Sequence, residues 1–241
     1  MALLAWILLS QDVSYNHAYR LTWTRRIERA GRIESSTTMT TALCHDHLAS
    51  GTHMSWTLKS MTIAWDDRIE VDTEKSVPDW LPLQERIWYL PERTSSVLMR
   101  QGKATRDPAF SSPRFGAMID EILKASLLVD HFARRTSDPF RARESFPVPL
   151  ILDSAIGRLE MRTERILEEK EHRVRGTAKE TAFDSLGSWK GVRASASLRA
   201  RSRYEIGFER AELEIASTAR DEKGPVSIRC AWILEETSRH R

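Results

Sequence analysis

The last third of this 241-residue chain alternates apolar and polar positions with a period of two over an unusual length. Val192, Ala194, Ala196, Leu198, Ala200, Ser202, Tyr204, Ile206 and Phe208 occupy every even position, while Arg193, Arg199, Arg201 and Arg203 occupy odd ones. Successive side chains of a strand face opposite sides of a sheet, so the pattern predicts small aliphatic groups beneath and guanidinium groups on the wet side. At ~3.3 Å per residue, one unbroken strand of that length would exceed ~50 Å, so it must bend or divide. Ala211, Leu213 and Ile215 then alternate with Glu212 and Glu214. Asp221-Glu222-Lys223-Gly224-Pro225 supplies turn residues, and Val226, Ile228, Cys230, Trp232 and Leu234 resume the alternation, which predicts a hairpin.

Earlier segments carry the same signal more briefly. Tyr19-Arg20-Leu21-Thr22-Trp23 suits a half-buried strand. Met54, Trp56 and Leu58 share one parity and Met61, Ile63 and Trp65 the other, which predicts a bulge or turn near Ser60 that switches the face. Ile69 and Val71 continue this zone. Pro78, Pro82, Pro91 and Pro108 restrict any strand between Val77 and Phe110 to a short edge element. Residues 154–175 fit one helix face and two strands equally; Gly157 counts against the helix. Ser35 to Thr41 (SSTTMTT) has no apolar period and reads as a linker or exposed loop, setting an N-terminal segment 1–53 apart from a main β-rich domain 54–241.

One segment carries a helical period. Ser112-Pro113 supplies an N-cap and first-turn proline, and Phe115, Met118, Ile119, Ile122, Leu123, Ser126 and Val129 form one stripe. Arg134 and Arg135 complement a helix C-terminus, and Asp138-Pro139 stops it. The expected fold is therefore α+β, dominated by antiparallel β-sheet, with one long amphipathic helix at about 113–135 lying across it.

Composition excludes several classes. With 41% hydrophobic and 29% charged residues and two cysteines, the chain is neither collagenous, nor a disulfide miniprotein, nor disordered throughout. No internal repeat of 20 to 50 residues is visible. Met1 to Leu9 is apolar, too short as a helix to span ~30 Å of hydrocarbon, and not preceded by the basic residue of a signal peptide; it reads as a buried strand or docking helix. Cys44 and Cys230 stand far apart and there is no glycosylation sequon, so the expected setting is reducing: cytoplasm or nucleus.

Charge changes the picture more. The net charge is only +3, from 37 basic and 34 acidic residues, but the basic set holds 29 Arg against 8 Lys. A coding bias spread over the chain would give the same excess. A local site is suggested only where arginines gather: Lys190, Arg193, Arg199, Arg201 and Arg203 follow one another with no acid between. On a sheet they would form a positive stripe able to contact phosphates of nucleic acid or of an acidic membrane surface. The competing reading is a solvated face neutralised by Glu205, Glu209, Glu212 and Glu214.

Other candidate chemistry is thinner. Cys44-His45-Asp46-His47, with His53 beyond, offers the donor types of zinc or iron but no recognisable completing partner. Glu169-x-x-His172 has the spacing of half a di-iron site and lacks the other half. Ser188 sits in Gly187-Ser188-Trp189-Lys190-Gly191, where Leu186 and Lys190 occupy the places a nucleophile elbow reserves for glycine. The expectation is thus a non-catalytic interaction or structural protein (scaffold, adaptor or virion-matrix-like), without a cofactor, that meets an anionic partner through its arginine face. Apolar edges or the first nine residues would mediate self-association. The alternative is a metal-dependent enzyme or ligand-binding β protein using Cys44, His45, His47 and His53, with zinc the metal.

Overall fold

The computed structural model describes residues 14–48, 54–81, 83–84, 86–90, 95–100, 103–106, 122, 143–152, 155–168, 171–202 and 209–240. They form a single antiparallel sheet of thirteen strands. In chain order these are β1 (Ser14–Arg29), β2 (Arg32–Leu48), β3 (Met54–Trp65), β4 (Arg68–Asp72), β5 (Arg86–Leu90), β6 (Ser95–Arg100), β7 (Lys103–Arg106), β8 (Arg143–Leu152), β9 (Ala155–Glu168), β10 (Glu171–Leu186), β11 (Trp189–Ser202), β12 (Arg210–Asp221) and β13 (Gly224–His240). Across the sheet they run β7-β6-β5-β3-β2-β1-β13-β12-β11-β10-β9-β8, with β4 paired beside β3. Two meanders therefore meet at the sheet centre, where β1 pairs with β13.

One face of this sheet is apolar and buried. A continuous row of inward residues crosses nine strands: Val71, Ile63, Met39, Trp23, Trp232, Leu213, Leu198, Gly176 and Thr163, each directly opposite the next. All nine are buried. Trp23 and Trp232, face to face across the central strand pair, are the largest fully buried side chains. Gly176 is where the row is tightest, since a Cβ there would lie 2.8 Å from Met161 Sδ, 2.8 Å from Thr163 Cγ2 and 3.0 Å from Leu198 Cβ. Only a residue without a side chain lets β9, β10 and β11 close on one another at that point.

The expected α+β class is corrected to an all-β antiparallel sheet. Among the described residues there is no helical element, and the ambiguous stretch 154–175 is the β9–β10 hairpin, with Val174, Gly176 and Ala178 buried. The proposed helix at 113–135 lies outside the described residues except for Ile122, a single residue of helical backbone buried against the core. A local apolar stripe says nothing about the hydrogen-bond ladder that sets the class, and that ladder is unbroken from β3 to β8.

Ser35 to Thr41 is likewise not a linker but the middle of β2, which joins β1 to β3 across the expected boundary at residue 53. Threonine is a good strand former, and here Thr37, Met39 and Thr41 are buried in alternation. The Thr41 hydroxyl donates to the Ser60 carbonyl at 2.6 Å, so its burial leaves no unsatisfied donor. Ser60 borders the expected face switch: Ala42 pairs with Ser60 and Leu43 with Leu58, leaving Lys59 as the extra residue of a bulge. The proline-rich zone forms short β5, β6 and β7 at one margin of the sheet, as expected.

Candidate functional site

The arginines of β11 face outward. Arg193, Arg199 and Arg201 are exposed while Val192, Ala194, Ala196, Leu198 and Ala200 are buried, so the parity read from the sequence holds over the described strand. Lys190 has the opposite parity and is exposed because the register shifts between Lys190 and Arg193, where Gly191 takes a φ of 55°. Arg203 lies outside the described residues.

Register divides the stripe in two. Six residues separate Arg193 from Arg199, about 20 Å of strand. At one end Lys190 stands opposite Arg220, and Arg193 pairs with Glu180 at 3.3 Å, both highly exposed. This end borders a surface depression of ≈ 820 Å³ that also touches Gly31 and Ser227. At the other end neighbouring strands bring further arginines that the linear sequence does not place. Arg175 of β10 lies directly opposite Arg199, and Arg173 directly opposite Arg201, which on its other side faces Arg210 of β12.

The result is a compact basic patch of two rows. One row reads Glu164, Arg175, Arg199, Glu212 from β9 to β12; the next reads Ile166, Arg173, Arg201, Arg210, Glu235 from β9 to β13. Strands are spaced ~4.8 Å apart and the rows ~6.6 Å, so five guanidinium groups originate within an area about 10 by 7 Å. They line a depression of ≈ 490 Å³ with Val174, Ala200 and Glu212. Like charges directly opposite one another destabilise a sheet, so three such contacts in one patch need an explanation beyond folding.

Of the acids expected to neutralise it, Glu212 and Glu214 do not pair with the stripe. Glu212, the register partner of Arg199, instead accepts from Arg210 Nε at 2.6 Å, and Glu235 accepts from Arg210 Nη1. Glu214 stands opposite the uncharged Ser197. Arg175, Arg199 and Arg201 form no ion pair with any described residue. The expected balancing of the stripe across the β11–β12 hairpin thus goes to one arginine, Arg210, and fixes it in place.

Of the candidate metal ligands, the structure places Cys44, His45 and His47 on one strand, β2, where Cys44 is a free, half-buried thiol paired with Ala18 and Thr57. In register His45 stands opposite His17 and Trp56, and His47 opposite Tyr15 and Met54. His53 lies outside the described residues. Among the described residues no group of three His, Cys, Asp or Glu is placed to hold a metal ion. Cys230 is buried, and burial pushes its thiol up to about 11, against a smaller opposing pull from the positive charge of Arg25. Among the described residues no helix is long and apolar enough to cross a membrane, a statement that does not bear on membrane β-barrels.

Arg173, Arg175 and Arg210 are the site residues that reading along one strand misses. Their signal is present in the sequence: Arg173 and Arg175 alternate with Val174, Gly176 and Ala178, which puts them outward once that stretch is read as strand. Only the register of β10 on β11 places them beside Arg199 and Arg201. Comparison with known families finds no family model that matches the chain, and comparison with curated proteins finds no significant match.

Proposed function

We propose that this chain is a non-catalytic binding protein that docks a phosphate-bearing partner on the outer face of β10, β11 and β12. The observation that carries the reading is the set of like-charged pairs Arg175–Arg199, Arg173–Arg201 and Arg201–Arg210, with Glu212 and Glu235 drawn to Arg210 and no ion pair from Arg175, Arg199 or Arg201 to a described residue, although Glu164 stands opposite Arg175. Arginine's planar fork matches phosphate oxygens in pairs and stays charged at any ordinary pH. A phosphorylated partner would supply the negative charge that the fold leaves out. Its binding would release counterions and therefore weaken steeply with salt.

The test replaces Arg175, Arg199 and Arg201 together by Ser and measures binding to an oligonucleotide and to acidic vesicles between 50 and 200 mM salt, by roughly the range over which phosphate contacts are lost. The wild-type protein is expected to bind at least one of them with a salt-dependent affinity that the triple variant lacks. Unchanged salt-sensitive binding in the variant would remove the patch from consideration.

A further inference from the structure

Resting on the reading just given, we infer that the arginine patch is built for one compact group carrying at least two phosphoryl substituents, free or displayed as a lipid headgroup, and not for an extended polyanion. Three observations on the outer face point that way.

The first is the boundary of the patch. Across the strands, the row through Arg175 and Arg199 meets Glu164 on one side, before Arg143 of β8, and Glu212 on the other, and the row through Arg210 meets Glu235, before Arg20 of β1. A polymer lying across the sheet would press its phosphates against these carboxylates. Along the strands, the next outward positions of β10 and β11 are Thr177 and Ser197, so a polymer lying over these two strands would find hydroxyl groups in the row after Arg175 and Arg199, the cation of that row being Arg162 of β9. On β10 and β11, arginine stands opposite arginine in two successive rows.

The second is shape. The same arginines line the depression of ≈ 490 Å³, within the range of volumes typical of small-molecule sites. Its described lining holds no aromatic side chain. A sequence-tolerant single-strand groove uses aromatic platforms on which bases stack, and the described lining offers none. What it offers is guanidinium groups in two rows ~6.6 Å apart, so that two phosphoryl groups can be held at once, one per row.

The third is the posture of Arg210. Its Nε and Nη1 are occupied by Glu212 and Glu235, which leaves Nη2 without a described partner at the margin of the depression. A guanidinium braced by two carboxylates loses little further freedom when an anion arrives, which is how a ligand site is pre-organised. Arg210 acts here as a positioned end-stop, while Arg175, Arg199 and Arg201 supply the uncompensated charge.

The experiment is calorimetric titration of the full chain with inositol trisphosphate and with inorganic phosphate, beside co-sedimentation with two sets of vesicles matched in charge. One set carries a bisphosphorylated inositol lipid and the other phosphatidylserine; a 30-nucleotide single strand completes the series. The expected result is one inositol trisphosphate per chain, bound at least roughly tenfold more tightly than inorganic phosphate. The Arg199→Ser/Arg201→Ser variant should lose at least roughly tenfold of that affinity while its melting temperature stays level or rises. Vesicle binding that prefers the bisphosphorylated lipid identifies a headgroup as the source, and binding of the soluble ligand alone identifies a free one. If the oligonucleotide or both vesicle types bind through Arg199 and Arg201 while inositol trisphosphate does not, compact recognition is overturned and the anionic-partner reading survives. If no probe binds in a salt-sensitive way, both fall.

Discussion

Arginine is used in two opposite ways on this sheet. Arg29, at the tip of the β1–β2 hairpin, donates to Asp221 Oδ2 at 2.7 Å, to Glu34 Oε2 at 3.2 Å and to the carbonyls of Gly224 at 2.9 Å and Pro225 at 3.3 Å. Lys223 closes the group by reaching Glu34 at 3.4 Å. Its Nη1 and Nη2 are answered by the neighbouring β12–β13 tip and its Nε by Glu34 of its own hairpin, so the side chain ties two hairpins together. At the patch arginines stand opposite arginines, and Glu212 and Glu235 go to Arg210. In both places an arginine stands opposite an arginine in register, Arg29 opposite Arg32, and what differs is whether a neighbouring turn brings acceptors to the side chain. An arginine excess therefore has to be judged residue by residue: where acceptors reach the guanidinium it is architecture, and where they do not the charge is left uncompensated.

That contrast can be broken in several ways. Reversing charge should have the largest effect. Arg199→Glu would face Arg175 on one side and Glu212 on the other and is expected to reduce phosphate-ligand affinity by roughly a hundredfold, read by titration, with thermal stability nearly unchanged because one opposite and one like-charged pair offset each other. Next comes the floor of the patch. Gly176→Val would drive its side chain into Met161, Thr163 and Leu198, with an expected loss of about 1–3 kcal/mol in denaturant unfolding, and binding would fail only as the fold fails. Removing the clamp should come third: Arg29→Ala leaves Asp221 and two turn carbonyls without their donor and should lower the melting temperature by a few degrees, with phosphate binding unchanged. Arg201→Ser should show the mirror image, with binding weakened and melting temperature level or raised.

The smallest effect is the pH dependence of the clamp. Burial pushes the Asp221 carboxyl up, but the hydrogen bond from Arg29, the Lys223 amide and the nearby positive charges outweigh it and hold the group below its ordinary value. A carboxyl with a depressed folded pKa contributes stability that is present above its unfolded value, about 3.9, and is lost as pH falls through the lower folded value. The melting-temperature gap between the wild type and Asp221→Asn should therefore be widest near neutrality and close below about pH 4. The absence of a gap at any pH would mean that Arg29 holds the tips through the Gly224 and Pro225 carbonyls alone.

The sequence discloses alternation well and pairing poorly. The outward face of β11, the β12–β13 hairpin and the face switch beside Ser60 are all written in local period-two patterns, and each stands in the structure. Ser35 to Thr41 misleads because threonine can occupy a buried strand position once a partner carbonyl, here that of Ser60, takes its hydroxyl, and that carbonyl is 19 residues away. The α+β class fails for a related reason, since the sheet is defined by which strands share a ladder and not by any one segment. Two of the five patch arginines are legible, Arg199 and Arg201, because they lie on a single strand. Arg173, Arg175 and Arg210 come from two other strands, and no periodicity in the chain fixes the register that delivers them.

The union of β1 with β13 has a consequence for biosynthesis. Ile27 faces Ile228, so the first described strand waits for the last before its ladder is complete. At ~5–20 residues per second, the ribosome needs on the order of 10–40 s to make the intervening chain. During that interval one long edge of β1 stands open to any other unpaired edge nearby. The seam at the middle of the finished sheet is thus its last to close and, in a crowded cell, the place where a nascent chain most needs a chaperone's cover.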